Sequence, residues 1–253
     1  MNVHSPLAGQ VALVSGGSRG IGRAIALKLA SAGADVAIVF HTGQEEAEST
    51  VGAIQALGRR AVALQADVSD PESVAEAFTE FRKTFSRLDI VVSNAATGVL
   101  RPVLELNAKH WRRCMDTNAL ALHTLAREAA PLMPNGGCMI GMSSMGSNRA
   151  IPHYAFIGAS KAALEALVRS LAQELGPRGI RVNTVNAGVV DTDALKYFPN
   201  REQLLDESLK RTPLGGALRP EDVANAVYLL CLPEAGRVTG HTLVVDGGFC
   251  ISG

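Results

Sequence analysis

An excess of charge of either sign is missing from this chain: 24 lysines and arginines balance 24 aspartates and glutamates, for a formal net charge of zero and a pI near 7.0. Nucleic-acid and membrane-surface proteins concentrate positive field, so neither partner is expected. Cysteine is scarce and scattered. Cys114, Cys138, Cys231 and Cys250 form no C-x-x-C pair, which argues against a metal site or a disulfide framework and leaves buried or inert thiols. No run reaches the roughly 18 apolar residues that a membrane span requires. The opening MNVHSPLAGQVALVSGG lacks a cationic leader followed by a long apolar stretch, so a cytoplasmic location is expected. No Pro/Ser-rich linker, low-complexity tract or short repeat divides the chain, and 253 residues at 47% hydrophobic content suffice for one sizeable core. A single domain over 1–253 is the expectation.

What is present is alternation. Short β-branched runs (VALVSG, DVAIVF, AVALQAD) are separated by longer amphipathic stretches (GIGRAIALKLASAG, EEAESTVGAIQALG), the βαβαβ pattern of a parallel sheet. The second half continues it with PESVAEAFTEFRKTF, DIVVSNAA, HWRRCMDTNALALHTLAREAAPLM, CMIGMSS, KAALEALVRSLAQEL, IRVNTVNAG, PEDVANAVYLLCL and TLVVDGG. The expected fold is α/β: a doubly wound, parallel, seven-stranded sheet with helices on both faces. One long irregular region, DTDALKYFPNREQLLDESLKRTPLGG at about 191–216, is a candidate substrate lid; a surface excursion with a short helix is the other reading.

SGGSRGIG follows the first strand and opens a helix. It places Gly16, Gly20 and Gly22 where a chain without Cβ atoms can approach a dinucleotide pyrophosphate, whose charge then meets the positive helix N-terminus. Ser18, Arg19 and Ile21 lie in the same loop. Some 20 residues on, where an acid would bind the ribose of NAD, the chain has Phe40, His41 and Thr42. With no carboxylate to repel a 2′-phosphate and Arg19 placed to meet one, NADPH is expected rather than NADH, with His41 as a weak cation beside it.

The spacing of those glycines, Asp67-Val68 after the third strand, Asn94-Ala95-Ala96 after the fourth, then Asn118, Ser144, Lys161 and Ala187-Gly188 followed by Thr192 form a set. With them the chain resembles the short-chain dehydrogenase/reductase superfamily from end to end. The resemblance implies a single Rossmann-fold domain in which Asp67 and Val68 contact the adenine and Asn94, with Ala95, backs the adenosine ribose. Val190 and Thr192, beside Gly188, would hold the nicotinamide carboxamide, and Lys161 the nicotinamide ribose. Ser15, Ser93, Ala96 and Ala187 stand where that superfamily usually has threonine, asparagine, glycine and proline. A homotetramer or homodimer is implied too, through the long helices containing Asn118 and Lys161 and the strand TLVVDGG.

Tyr154 and Lys161 stand seven residues apart. In an ordinary carbonyl reductase of this superfamily the tyrosine lies four before its lysine, a place held here by Ile157, which cannot deliver a proton. Intervals of four and seven both return to one helix face, and the longer one moves the phenol about 4.5 Å along the axis. That displacement suits an oxygen several bonds from the hydride-accepting carbon, as in an enoyl thioester. The displaced tyrosine, NAATGVLRPVLEL and VDTDALKYFPNREQLL resemble the NADPH-dependent enoyl-acyl carrier protein reductases of the third type and the related cyclohexenylcarbonyl-CoA reductases. The implied substrate is an acyl thioester, with an acyl carrier protein as a candidate partner.

Tyr154 is then assigned to hold the developing enolate oxygen, and Lys161 to lower the cost of negative charge on the phenol. Asn118, a poor helix former inside a long helix, suggests a kink or a water-holding role in a proton relay. Ser144 either touches substrate or satisfies local backbone. Tyr197 and Phe198 either line an acyl channel or anchor the loop, and Lys196, Arg201, Lys210 and Arg211 form a candidate basic rim. A ketone or alcohol oxidoreductase and a nucleotide-sensing protein without catalysis remain as alternatives.

Overall fold

The structure, a computed structural model, describes residues 5–192, 195 and 201–252. Seven strands form one sheet: β1 (Val11–Ser15), β2 (Asp35–Phe40), β3 (Ala61–Gln65), β4 (Ile90–Ser93), β5 (Gly137–Ser144), β6 (Ile180–Ala187) and β7 (Thr242–Val245). Their order is β3-β2-β1-β4-β5-β6-β7 and every pair is parallel. Parallel strands buried on both faces carry near-continuous apolar runs, and alternate residues serve opposite cores. In β1, Ala12 and Val14 join one core while Val11 and Leu13 join the other.

The first core is closed by α1 (Gly20–Ser31), α2 (Gln44–Ala56) and, farther along the chain, α8 (Pro220–Cys231), through Ile25, Leu29, Ile54 and Val227. The second is closed by α3 (Pro71–Thr84), α4 (Ala108–Met115), α5 (Ala121–Ala129) and α6 (Ala155–Leu175), through Phe78, Phe81, Leu122 and Leu164. Helix α3 begins where Asp70 accepts the Glu72 amide at 3.0 Å and Pro71 occupies the first turn, so Asp70 rather than Asp67 provides the cap. Cys114, Cys138 and Cys231 are buried free thiols and Cys250 is half-buried. Among the described residues, no helix is long and apolar enough to cross a membrane.

Two sequence expectations change. The long helix read through HWRRCMDTNALALHTLAREA is interrupted at Asp116–Leu120 by a π turn, which contains Asn118; the asparagine amide takes its partners off the helix, as a π-bulge permits. The region read as irregular after β6 holds a regular helix, α7 (Arg201–Arg211), supported by the i,i+4 pairs Lys210–Asp206 at 2.5 Å and Arg211–Glu207 at 2.9 Å. Arg201 meets Asp191 at 2.8 Å. Three members of the proposed basic rim are therefore matched by carboxylates, and the rim is close to neutral. The fourth, Lys196, lies outside the described residues, as do Tyr197 and Phe198.

Candidate active site

The strand order reverses between β1 and β4, which is where open α/β sheets bind ligands. Ser15 ties that point together. Its hydroxyl accepts the amides of Asn94 at 2.9 Å and Ala95 at 3.1 Å, while the Asn94 side chain donates to Ser15 O at 3.0 Å. Gly16 has φ 65°, and a Cβ there would lie 2.9 Å from Asn94 Nδ2. At Gly22 a Cβ would meet Gly16 O at 2.1 Å, a backbone atom that cannot swing away. These glycines let two turns and a helix close on one another.

In front of them opens a cavity of about 500 Å³. The glycine turn supplies Gly16, Ser18, Arg19, Gly20, Ile21 and Gly22; His41, Asp67, Val68, Asn94 and Ala95 close its far side, with Thr192 at one end. At Gly20 (φ 55°) the space a Cβ would enter is open, with only Thr192 near 4 Å. The first turn of α1 carries no acidic residue, and its N-cap Arg19 makes no side-chain capping bond. An uncompensated positive helix end facing an open cradle fits a diphosphate. Gly22→Ala is expected to weaken NADPH binding at least about tenfold, read by NADPH fluorescence, because the backbone must move to admit the methyl group.

Phe40, His41 and Thr42 line the place where a ribose-binding acid would stand, and no carboxylate is among them. His41 Nε2 is 3.9 Å from Asp67 Oδ2. Burial pushes the Asp67 carboxyl up, but the Ser69 hydroxyl and amide, at 2.6 and 2.9 Å, outweigh it and hold the group below its ordinary value. Sequence reasoning missed Arg113 and Thr117, which also line this cavity. They lie four apart on one helix, a spacing that could have singled them out only once that helix was known to border the cleft.

A second cavity of about 450 Å³ adjoins the first, sharing Ile21, Asn94, Ala96 and Thr192 with it. Ser144, Tyr154, Lys161, Gly188 and Val190 line its floor, and Met145, Ile151, Pro152, Leu195 and Phe249 make its walls apolar. Every sequence-assigned site residue but Asn118 reaches one cavity or the other. Asn118 is 2% exposed, and its amide is occupied: Oδ1 accepts the Thr97 amide at 2.8 Å, while Nδ2 donates to Thr97 O and to Ser160 Oγ, both at 2.9 Å. It fixes the segment after β4 against α6 and stands behind the cleft.

Tyr154 is the residue before α6, with φ −111° and ψ 11°, and so is not on the helix it was expected to share with Lys161. His153, at φ 65° the one described non-glycine residue with positive φ, turns the chain into it. The Tyr154 ring packs where a Gly146 Cβ would come within 2.6 Å of it, and the hydroxyl lies 3.1 Å from Ser144 Oγ. Burial raises its pKa, with the Ser144 hydrogen bond opposing, so the phenol keeps its proton at neutral pH and can donate it.

Lys161 is buried at 5% exposure, and its Nζ donates to Met142 O at 2.7 Å. Burial lowers its pKa to about 8. Ile157, where the ordinary tyrosine would stand, is buried and packs against Gly98: a Cβ on that glycine would lie 2.2 Å from Ile157 Cγ1. That position presents hydrocarbon and does not line the second cavity.

The doubly wound sheet, the glycine turn at its switch point and the Ser144–Tyr154–Lys161 cluster define an oxidoreductase of the short-chain dehydrogenase/reductase class. Within that class the chain belongs to the family described as enoyl-(acyl carrier protein) reductase, whose model matches residues 16–250. The chain is 40% identical to 1-cyclohexenylcarbonyl-CoA reductase of Streptomyces collinus, over 96% of this chain and 87% of that protein. It is 37% identical to a hydroxynaphthalene reductase-like protein of Metarhizium majus, over 96% and 95%. A short-chain dehydrogenase of Burkholderia cenocepacia, solved in complex with NADP, superposes with a TM-score of 0.88 at 37% identity, covering 97% of this chain and 99% of that one.

Proposed function

We propose that this enzyme uses NADPH to reduce the carbon-carbon double bond of an α,β-unsaturated acyl thioester carried on coenzyme A or an acyl carrier protein. The observation that carries this reading is the pairing of a hydrocarbon plug at Ile157 with a phenol at Tyr154, offset from the ordinary position and bonded to Ser144 at the cavity floor. NADP bound to the Burkholderia structure and the name of the Streptomyces relative agree with it. In the NADPH-preferring reading, Arg19 meets the 2′-phosphate and the absence of an acid at 40–42 leaves room for it.

A nicotinamide cofactor held by the glycine turn, Lys161, Val190 and Thr192 would supply a hydride to the β-carbon. Electrons of the double bond then shift toward the thioester carbonyl, and negative charge develops on its oxygen. The Tyr154 hydroxyl donates a hydrogen bond to that oxygen in the transition state, with Ser144 Oγ fixing the direction of the phenol. Lys161 adds a buried positive charge that favours charge build-up beside it. A proton from water completes the saturated product at the α-carbon. Met145, Ile151, Pro152 and Phe249 make much of the surrounding wall apolar, a low-polarity setting in which each of these interactions is stronger than in bulk water.

The hydroxynaphthalene reductase-like relative favours a second reading, reduction of a ketone, since Ser144 and Tyr154 together could hold a carbonyl oxygen directly. NADPH oxidation with crotonyl and acetoacetyl thioesters separates the two. Crotonyl turnover is expected to exceed acetoacetyl turnover at least about tenfold in kcat/KM; the reverse order would establish the ketone reading. A homodimer or homotetramer fits the exposed Trp111 of α4, stacked edge-on at 5.1 Å against the half-buried Phe156 of α6, and the exposed Val244 on β7.

A further inference from the structure

The last three residues of β5 are held by four side chains from three different elements. Met142 O accepts Lys161 Nζ at 2.7 Å; Ser143 Oγ donates to Glu165 Oε1 at 2.6 Å; Ser144 Oγ meets the Tyr154 hydroxyl at 3.1 Å; Ser144 O accepts Asn186 Nδ2 at 3.1 Å. Asn186 sits beside Ser143 in the β5–β6 register and is 1% exposed. Ser147 Oγ and Glu165 Oε1 also lie 3.2 Å from its Nδ2, so the two amide hydrogens are shared among three acceptors. Its Oδ1 has no partner among the described residues.

Glu165 follows Lys161 by four residues and so stands one turn along the same face of α6. One carboxylate oxygen thus clamps α6 to the ends of β5 and β6. The helix carries Lys161 and starts at Tyr154, and the strand end carries Ser144. We propose that Glu165, acting through Ser143 and Asn186, is a positioning residue that sets where Ser144 Oγ meets the Tyr154 hydroxyl. This rests on the reading of Tyr154 and Ser144 given above, not on which substrate they serve.

A hydrogen-bonded acceptor, rather than net charge, is what the geometry uses. Glu165→Gln keeps that acceptor and Glu165→Ala removes it. Relative to wild type, Glu165→Ala is expected to lower kcat about tenfold or more while KM for NADPH stays within about twofold, since a small misplacement of the phenol affects the reacting atoms and leaves the glycine-turn cradle for the diphosphate intact. Glu165→Gln is expected to recover most of that loss. The assay uses whichever of crotonyl or acetoacetyl thioester the wild type turns over, so an error about the substrate leaves the result interpretable.

A second readout needs no turnover. Ultraviolet tyrosinate absorbance, taken as the difference from the matching Tyr154→Phe protein, follows the Tyr154 phenol alone. Glu165→Ala is expected to move its titration to higher pH as the Ser144 hydrogen bond loosens, with Cys114, which faces both Tyr154 and Lys161, unchanged; Glu165→Gln is expected to leave it in place. Should Glu165→Ala fail to fold, Asn186→Ala carries the same two measurements. Unchanged kcat and phenol titration in the alanine variant, or a glutamine variant as impaired as alanine, would overturn the proposal.

Discussion

Tyr154→Phe is expected to lower kcat by about two to three orders of magnitude while the affinity for NADPH changes less than about threefold. Removing one donor aimed at a developing oxyanion has an effect of that size. Affinity is spared because the groove is lined chiefly by the glycine turn and the ends of β2, β3 and β4, and Tyr154 is not among its lining residues. The ring is also expected to stay in place, since it packs on Gly146 and the variant keeps that packing while losing the Ser144 hydrogen bond. Steady-state kinetics with a crotonyl thioester and fluorescence titration with NADPH measure the two quantities. A variant within tenfold of wild type would remove Tyr154 from the chemistry.

Lys161→Met is expected to abolish measurable turnover and yet to make the protein more heat-stable. Below pH 8 the lysine is charged in the folded and unfolded chains alike. Displacement of its pKa from 10.5 to about 8 on burial corresponds to roughly 3 kcal/mol of destabilisation. Methionine removes that penalty but leaves Met142 O without its hydrogen bond, which returns about 1 kcal/mol or more. A net gain of about 1–2 kcal/mol predicts a rise in Tm of roughly 3–6 °C at pH 7.

The sign of the pH dependence is fixed by the direction of the shift. As pH rises from 8 to 10.5 the folded lysine loses its proton before the unfolded one does, the wild type recovers stability, and the advantage of methionine fades. Wild-type kcat/KM, which reports the free enzyme, is expected to fall above pH 8 as the same proton leaves. A methionine variant that melts below wild type at pH 7 would show that the Met142 contact outweighs desolvation.

Fold class was legible because β-branched runs and amphipathic stretches alternate without interruption, and the glycine turn was legible because its φ angles and close approaches admit few other residues. Tyr154 was singled out by an interval counted along a helix that in fact begins after it, and its neighbour His153 was not flagged, since a left-handed turn at a histidine leaves no periodic mark. Asn118 drew notice as a poor helix former, and the π turn explains the notice. Its amide, however, is spent on Thr97 and Ser160, contacts that arise only when β4 and α6 meet in space. The helix at 201–211 was hidden by its low apolar content; its support comes from paired charges. Arg113, Glu165 and Asn186 went unread because they acquire roles through neighbours 20 or more residues away, and no local pattern encodes them.

The Ile157–Gly98 contact bears on redesign. Installing a phenol four residues before Lys161, the ordinary place in this superfamily, is not a one-letter edit. The isoleucine already fills the gap against Gly98, and the wall behind it continues into Cys114, whose sulfur would lie 3.5 Å from any methyl placed on that glycine. A larger ring would have to push the segment after β4 outward, and that segment also carries Asn94 and Thr97. Any such redesign must first carve volume there.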